Sequence, residues 1–182
     1  MPNIQDGNQL INIDVFGKIG LESGMSVGDL GCGNLGYFAL ASAKKVGKNG
    51  IVYAVDILKS ALQSVENRVK QEGLENVKTV WSNLEIYGAT KIQEASLDVA
   101  FIHNVLFHAE EGDSMIRETA RLLKTGGKLM IIDWLRISSP FGPPLTDRPL
   151  PDEIKKLATG VGLKAIDEFS AGPYHFGLIF VK

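Results

Sequence analysis

Asp29-Leu30-Gly31-Cys32-Gly33-Asn34-Leu35-Gly36 follows a short apolar run at 26–30 and leads directly into Tyr37-Phe38-Ala39-Leu40, the opening of a helical stretch. Glycines at this spacing let the backbone turn with positive φ and approach a ligand closely, while the helix start offers N–H donors to a carboxylate or phosphate. Alone, G-x-G-x-x-G is a weak signal that a plain strand-to-helix turn also satisfies. Two acids sharpen it. Asp29 stands at the carboxyl end of the strand, where a dinucleotide fold usually has an apolar residue; there it can receive an ammonium group. The implied ligand is cationic as well as anionic, as an amino acid is. Asp56 ends the next β-branched run, where its two oxygens can accept from both hydroxyls of a ribose. The competing reading of Asp56 is a cap for the helix that starts near Lys59.

Outward from the loop, strand-like runs at 26–30, 51–55, 77–81, 98–103, 128–133, 164–169 and 175–181 alternate with amphipathic stretches. One helical face carries Ala61, Leu62, Val65 and Val69; another carries Met115, Ile116, Ala120 and Leu123. Strand and helix in alternation predict a parallel sheet covered on both faces. Only Ser170-Ala171-Gly172-Pro173-Tyr174 joins the last two strands, too few residues for a parallel crossover, so these two pair antiparallel. The expected fold is α/β, a Rossmann-like three-layer sandwich whose seven-stranded, mostly parallel sheet closes in a C-terminal antiparallel hairpin. The stretch 138–151 holds five of the seven prolines and reads as a lid or acceptor-side loop.

The chain has 182 residues, 45% hydrophobic and 22% charged, which favours one domain over 1–182 with a core that needs no metal or disulfide staple. The single cysteine, Cys32, excludes an internal disulfide framework and any multi-cysteine metal site; a reducing cytoplasmic setting and no metal are expected. Neither a signal-like N-terminus nor an apolar run of the roughly 20 residues that span a bilayer is seen. A formal net charge of -2 with scattered Lys and Arg disfavours nucleic-acid partners.

Three motifs, in order, resemble those of class I S-adenosylmethionine (SAM)-dependent methyltransferases. Val27-Gly28-Asp29-Leu30-Gly31-Cys32-Gly33 is similar to their first motif, and Val52-Tyr53-Ala54-Val55-Asp56 to the second strand with its ribose acid. Leu123-Lys124-Thr125-Gly126-Gly127-Lys128-Leu129 resembles the L-K-P-G-G turn before strand five. The segment Asp98-Val99-Ala100-Phe101-Ile102-His103-Asn104-Val105-Leu106-Phe107-His108 is similar to the fourth strand of the type 11 small-molecule subgroup, which includes the UbiE-like enzymes of quinone biosynthesis. The likeness is close over 25–134 and holds in outline elsewhere.

The resemblance implies a SAM-dependent methyltransferase that turns a small-molecule acceptor into its methylated form and releases S-adenosylhomocysteine (SAH). It implies that Asp29, Gly31 and Gly33 hold the amino-acid end of SAM, Asp56 the ribose, Ile57 and Asn83 the adenine, that Cys32 also belongs to the cofactor site, and that Asn104 lies near the methyl group. The sequence departs from the family pattern at two points. An extra residue precedes Gly36, which leaves the contacts of Asn34 and Gly36 open, and Ser82-Asn83 replaces the usual G-D, so that an amide oxygen takes over from the carboxylate.

A sulfonium is a good leaving centre, so the protein has mainly to align the acceptor and exclude water; a base is needed only for a protonated acceptor. The candidates are His108 first, then His103, with Asp133 at the end of strand five; for each histidine a loop residue satisfied by backbone is the competing reading. Trp134 and Phe141 are expected at the acceptor pocket, against ordinary packing as the alternative. Tyr87-Gly88-Ala89-Thr90-Lys91 matches the Y-x-x-x-K of short-chain dehydrogenases but lies in the wrong place for that chemistry. The rival functions are an NAD(P)-dependent oxidoreductase and a non-catalytic SAM-binding protein. With about 25 residues before strand one, little chain covers the acceptor side, which leaves an open pocket or one closed by a second subunit in a homodimer.

Overall fold

The computed structural model describes residues 14–108 and 112–182, without the side chain of His108. The elements run α1 (Val15–Ile19), β1 (Ser26–Leu30), α2 (Tyr37–Val46), β2 (Ile51–Asp56), α3 (Lys59–Gln71), β3 (Val77–Trp81) and β4 (Leu97–His103), then α4 (Gly112–Leu122), β5 (Leu123–Trp134), α5 (Pro151–Gly160), β6 (Lys164–Ser170) and β7 (His175–Val181). The sheet order is β3-β2-β1-β4-β5-β7-β6. Strands β1 to β5 pair parallel, and β7 runs antiparallel to both β5 and β6. The expected hairpin is therefore present, and β7 inserts between β5 and β6. An all-parallel dinucleotide fold ordered 3-2-1-4-5-6 has no such strand.

Because both sheet faces are covered, the central strands are apolar at nearly every position rather than alternating. Leu30, Ile102, Leu129 and Ile131 belong to one buried cluster with Ile116 of α4 and Ile154 of α5. Val27, Phe101, Met130 and Ile132 belong to the other, against α1, α2 and α3 through Ile19, Phe38 and Val65. Each such side chain removed from water contributes roughly 1.5–3 kcal/mol. Helix α1, only five residues long, was not expected; Asp14 caps it by accepting from Gly17 N–H at 2.8 Å.

The L-K-T-G-G segment is not a turn before strand five but a bulge inside it. Leu97 pairs with Leu123 and Val99 with Lys128, so three more residues are taken up on β5 than on β4. Gly126 turns with φ 79°, and a Cβ at Gly127 would lie 2.9 Å from the carbonyl oxygens of Leu97 and Lys124. The bulged backbone remains hydrogen-bonded: Gly126 N–H donates to Lys182 O at 2.8 Å and Lys182 N–H to Gly127 O at 3.0 Å. Pairing with the end of the chain is what carries the strand through the glycines.

The proline-rich stretch is clamped. Arg148, 3% exposed, donates from Nε to Pro143 O, from Nη1 to Leu135 O and Ile137 O, and from Nη2 to Ser139 Oγ, all within 3.0 Å. Its guanidinium lies 5.2 Å from the Trp134 ring centroid. Among the described residues no helix is long and apolar enough to cross a membrane.

Candidate active site

Beyond the carboxyl ends of β1, β2 and β4 lies a cavity of about 530 Å³, within the roughly 300–1,000 Å³ of small-molecule sites. Sheets of this kind bind ligands at such a switch point, where neighbouring crossovers run in opposite directions. Gly31, Cys32 and Gly33 form one wall, Asp56 and Ile57 another, Asn83 a third, and His103 and Asn104 close the β4 side.

The glycine loop is fixed by β2. Gly31 N–H and Cys32 N–H both donate to Val55 O, at 2.8 and 3.0 Å, and Gly33 N–H donates to Asp56 Oδ2 at 2.9 Å. These three N–H groups hold the loop in shape. Gly31 has φ 86°, and a Cβ there would lie 2.5 Å from Val105 Cγ2, so only glycine allows β1 to end against the β4 loop. Gly36, with φ 52°, caps α2 and packs on Val65; neither it nor the exposed Asn34 lines the cavity. The extra residue is thus absorbed on the helix side of the loop.

Asp29 lies behind the loop, 2% exposed and outside the cavity lining, and Oδ2 accepts from Ala39 N–H of α2 at 2.8 Å. Burial pushes its carboxyl up to about 7, with the Asp56 charge adding to the rise and the Ala39 N–H opposing it. It anchors the helix that begins beside the cavity. Asp56 uses each oxygen once, Oδ2 for Gly33 and Oδ1 for Leu58 N–H at 2.9 Å. Both readings of this acid are present together: it organises the start of α3 and it faces the cavity, with lone pairs left for a ligand. Burial pushes the Cys32 thiol up, which makes it an unreactive part of the wall.

Asn83 lines the cavity, but its Oδ1 also closes a local turn by accepting from Glu85 N–H at 2.9 Å. The loop after β3 is held from beneath by Glu118 of α4, fully buried, whose carboxylate accepts from Gly88 N–H at 2.8 Å, Thr90 N–H at 3.1 Å and both Nε and Nη2 of Arg121. Burial alone would raise its pKa; the Arg121 fork and the N–H groups outweigh it and hold the carboxyl at about 2. Tyr87 is exposed, with Arg117 4.8 Å from its ring centroid, and serves this loop rather than a Y-x-x-x-K chemistry.

At the end of β4, Asn104 takes φ 51°, rare for a non-glycine residue, and its Oδ1 is buried without a partner among the described residues. The His103 ring lies 4.7 Å from that of Phe38, tilted by 49°, and its Nε2 likewise has no partner among the described residues. Burial, reinforced by His175, pushes His103 down to about 3, so the imidazole is neutral. That value is far from the near-neutral pKa that suits a general base.

Asp133 does not join His103. Ile132 is the partner of His103 across the sheet, so Asp133, one residue on, faces the opposite side. It is fully buried outside the cavity lining, with Oδ1 on its neighbour Trp134 N–H at 2.8 Å. Burial pushes it up to about 7, against the Trp134 and Leu106 N–H groups and the Arg148 charge. The side chain of His108, the first catalytic candidate, lies outside the described residues. Trp134 and Phe141 do not line the cavity either: their rings meet at 6.1 Å and pack the proline-rich loop around Arg148.

The residues fit SAM on their own geometry. The cavity has the size, a carboxylate at the β2 end, a glycine wall that a Cβ at Gly31 would disrupt, and buried polar atoms at Asn104 and His103 that lack partners among the described residues. The methyltransferase domain family matches residues 21–169. A ubiquinone/menaquinone biosynthesis C-methyltransferase UbiE from Bordetella parapertussis is 32% identical over 128 residues, 70% of this chain and 48% of that protein. The chain thus spans about half the length of the curated relatives it matches. A SAM-dependent methyltransferase from Aquifex aeolicus superposes with a TM-score of 0.86 at 26% identity, over 96% of this chain and 93% of that one. The [4+2]-cyclase SpnF, at 17% identity and a TM-score of 0.77, covers 92% of this chain and 79% of its own and shares the fold alone. Sheet order, site geometry and these matches together make the chain a member of the class I SAM-dependent methyltransferase family.

Proposed function

We propose that the chain binds SAM in the cavity between β1, β2 and β4 and methylates a small-molecule acceptor, leaving SAH. The observation that carries this reading is the joining of Asp56 to the glycine loop on the wall of a cavity that Asn104 also lines, its Oδ1 without a partner among the described residues. Asp56 accepts from the ribose hydroxyls, Ile57 and Asn83 bracket the adenine, and Gly31, Cys32 and Gly33 give the amino-acid end close approach. Asp29 acts on that end from behind the loop, through the position of α2. Asn34 and Gly36 contribute by shaping the turn.

The sulfonium supplies an activated methyl group, so the chain's own task is alignment and exclusion of water. Apolar Val105 and Met115 and the neutral His103 border the space next to Asn104. His103 acts there as a hydrogen-bonding group; any proton that must leave the acceptor goes to water or to His108. The UbiE relative's name makes quinols the first acceptors to screen. Ile57, Leu58, Trp81, Ile86 and Tyr87 are exposed. Of these, Ile57 and Leu58 line the cavity, and this exposed apolar edge supports a homodimer in which a second copy covers the mouth; the composition supports a cytoplasmic setting.

Calorimetric titration with SAM, SAH, NAD and NADP tests the cofactor. Micromolar binding of SAM and SAH, with none of the dinucleotides, is expected; dinucleotide binding, or no binding at all, rejects the reading. Labelled SAM with quinol, phenol, amine and thiol acceptors then tests transfer.

A further inference from the structure

Two strands separate β3 from β4 in the sheet, yet the crossover that joins them, 82–96, contains no helix. A helix would satisfy its own backbone; this crossover has to find partners elsewhere. Its turns supply some: Ile86 N–H donates to Asn83 O at 3.3 Å and Ala89 N–H to Ile86 O at 3.0 Å. Helix α4 and the start of β5 supply others. Arg121 O and Leu122 O accept from Ala95 N–H at 3.0 Å and Ser96 N–H at 2.9 Å, and Arg121 Nη2 donates to Thr90 O at 3.2 Å. Glu118 takes the N–H groups of Gly88 and Thr90.

The near end of the same crossover is cavity wall. Ser82, Asn83, Leu84 and Glu85 line the cavity, and so does Met115, one turn before Glu118 on α4. Thr90 and Ser82 are both buried, and their hydroxyls meet at 3.1 Å. Thr90 is thus held by Glu118 through its backbone and holds Ser82 through its side chain. Glu118 itself does not line the cavity.

A carboxylate is a costly group to bury, and a buried ion pair is weak evidence for stability, since an apolar side chain in its place often serves as well. Met115, Ile116 and Ala120 already give α4 an apolar contact with the core. What an apolar residue at 118 could not do is accept two N–H groups from a crossover with no ladder of its own. The carboxylate therefore serves the shape of the crossover, and the part of that shape that faces a ligand is 82–85.

We propose that Glu118 is a positioning residue for the base of the cofactor: through Thr90 and its hydroxyl contact with Ser82, it sets the wall at 82–85 against which the adenine lies. This rests on the SAM-binding reading above. Glu118 acts without touching the cofactor, and nothing in the sequence motifs marks it.

The test measures, by calorimetry on the full chain, the affinities of SAH, of its 6-oxo analogue S-inosylhomocysteine and of decarboxylated SAH. The wild type is expected to bind SAH about tenfold or more tighter than the 6-oxo analogue, because a wall that hydrogen-bonds the base rejects an altered edge. Glu118→Gln puts an NH2 where an oxygen accepted, so the crossover shifts; the preference over the 6-oxo analogue is expected to fall to about threefold or less. The preference over decarboxylated SAH, set at the glycine loop, is expected to stay within about twofold of the wild type. Thr90→Val keeps the N–H that Glu118 accepts but cuts the contact with Ser82, and is expected to lose part of the same preference; it decides the matter if Glu118→Gln does not fold. A wild type indifferent to the base, or variants that keep the base preference while all three ligands weaken together, overturns the proposal and leaves Glu118 a support of the fold alone. Failure of the wild type to bind SAH overturns the SAM-binding reading instead.

Discussion

Asp56 Oδ2 accepts the N–H of Gly33 at 2.9 Å, so the acid at the end of β2 and the glycine loop at the end of β1 form one rigid unit. Removing the carboxylate therefore acts on the loop as well as on the ribose. Asp56→Ala is expected to lower stability by about 1–3 kcal/mol, through two unpaired N–H groups, and to weaken SAH binding at least tenfold. Asp56→Asn keeps one acceptor oxygen and should lose less stability while still binding SAH poorly. Thermal unfolding read beside calorimetry separates the two effects; an Ala variant that keeps full SAH affinity would count against the ribose role.

Gly31 offers a sharper steric test. A Cβ there meets Val105 Cγ2 at 2.5 Å in a backbone with φ 86°. Gly31→Ala should cost about 1–2 kcal/mol from the left-handed backbone alone and push Val105 into the cavity. SAH affinity is expected to fall while Gly33→Ala, whose Cβ meets nothing within 4 Å, costs only the backbone strain. Denaturant midpoints and SAH dissociation constants of the two variants check the order.

Local pattern made most of this legible. The strand runs at 26–30, 77–81 and 175–181 coincide with β1, β3 and β7; for the last two, β-branched and aromatic runs between turn residues have one comfortable conformation. The glycine loop and Asp56 were readable because their chemistry depends on residue type at close spacing. What was not readable depends on direction and distant pairing. Asp133 and His103 look adjacent at two strand ends, yet register turns them to opposite faces. His175 is buried against Trp134 only through the pairing of β7 with β5, and no short-range signal announces it. Arg148 is silent because its partners are mostly backbone carbonyls of its own loop, and Trp134 and Phe141 are aromatic in either role, lining a pocket or wrapping that arginine.

Asp133 should leave a signature in the pH dependence of stability. Its carboxyl titrates near 7 when folded but near 3.8 when exposed, so between those values the folded state holds a proton that the unfolded chain has lost. Folding is thus favoured at the acid end of the window and weakens as pH rises from about 4 to 7. Asp29, shifted the same way, adds to the slope. Asp133→Asn keeps an acceptor for Trp134 N–H and removes the titration; its unfolding free energy should fall less steeply across the window. Chemical denaturation at pH 5 and pH 8 measures it, and an unchanged slope would mean that Asp133 stays ionised throughout.

Arg148 separates the proline-rich loop from the cavity. Lysine keeps the charge but lacks the planar fork that reaches Pro143, Leu135, Ile137 and Ser139 together. Arg148→Lys should therefore strand several buried acceptors, with a loss of about 2 kcal/mol or more. Because loop 138–151 does not line the cavity, SAH affinity is expected to stay within about twofold, well under the 1.4 kcal/mol of a tenfold change. Limited proteolysis should instead cut the variant within 138–151 while the wild type resists. If the loop were a cofactor lid, affinity would fall along with protection, and that coupled loss would return it to the acceptor side where its prolines first suggested it belonged.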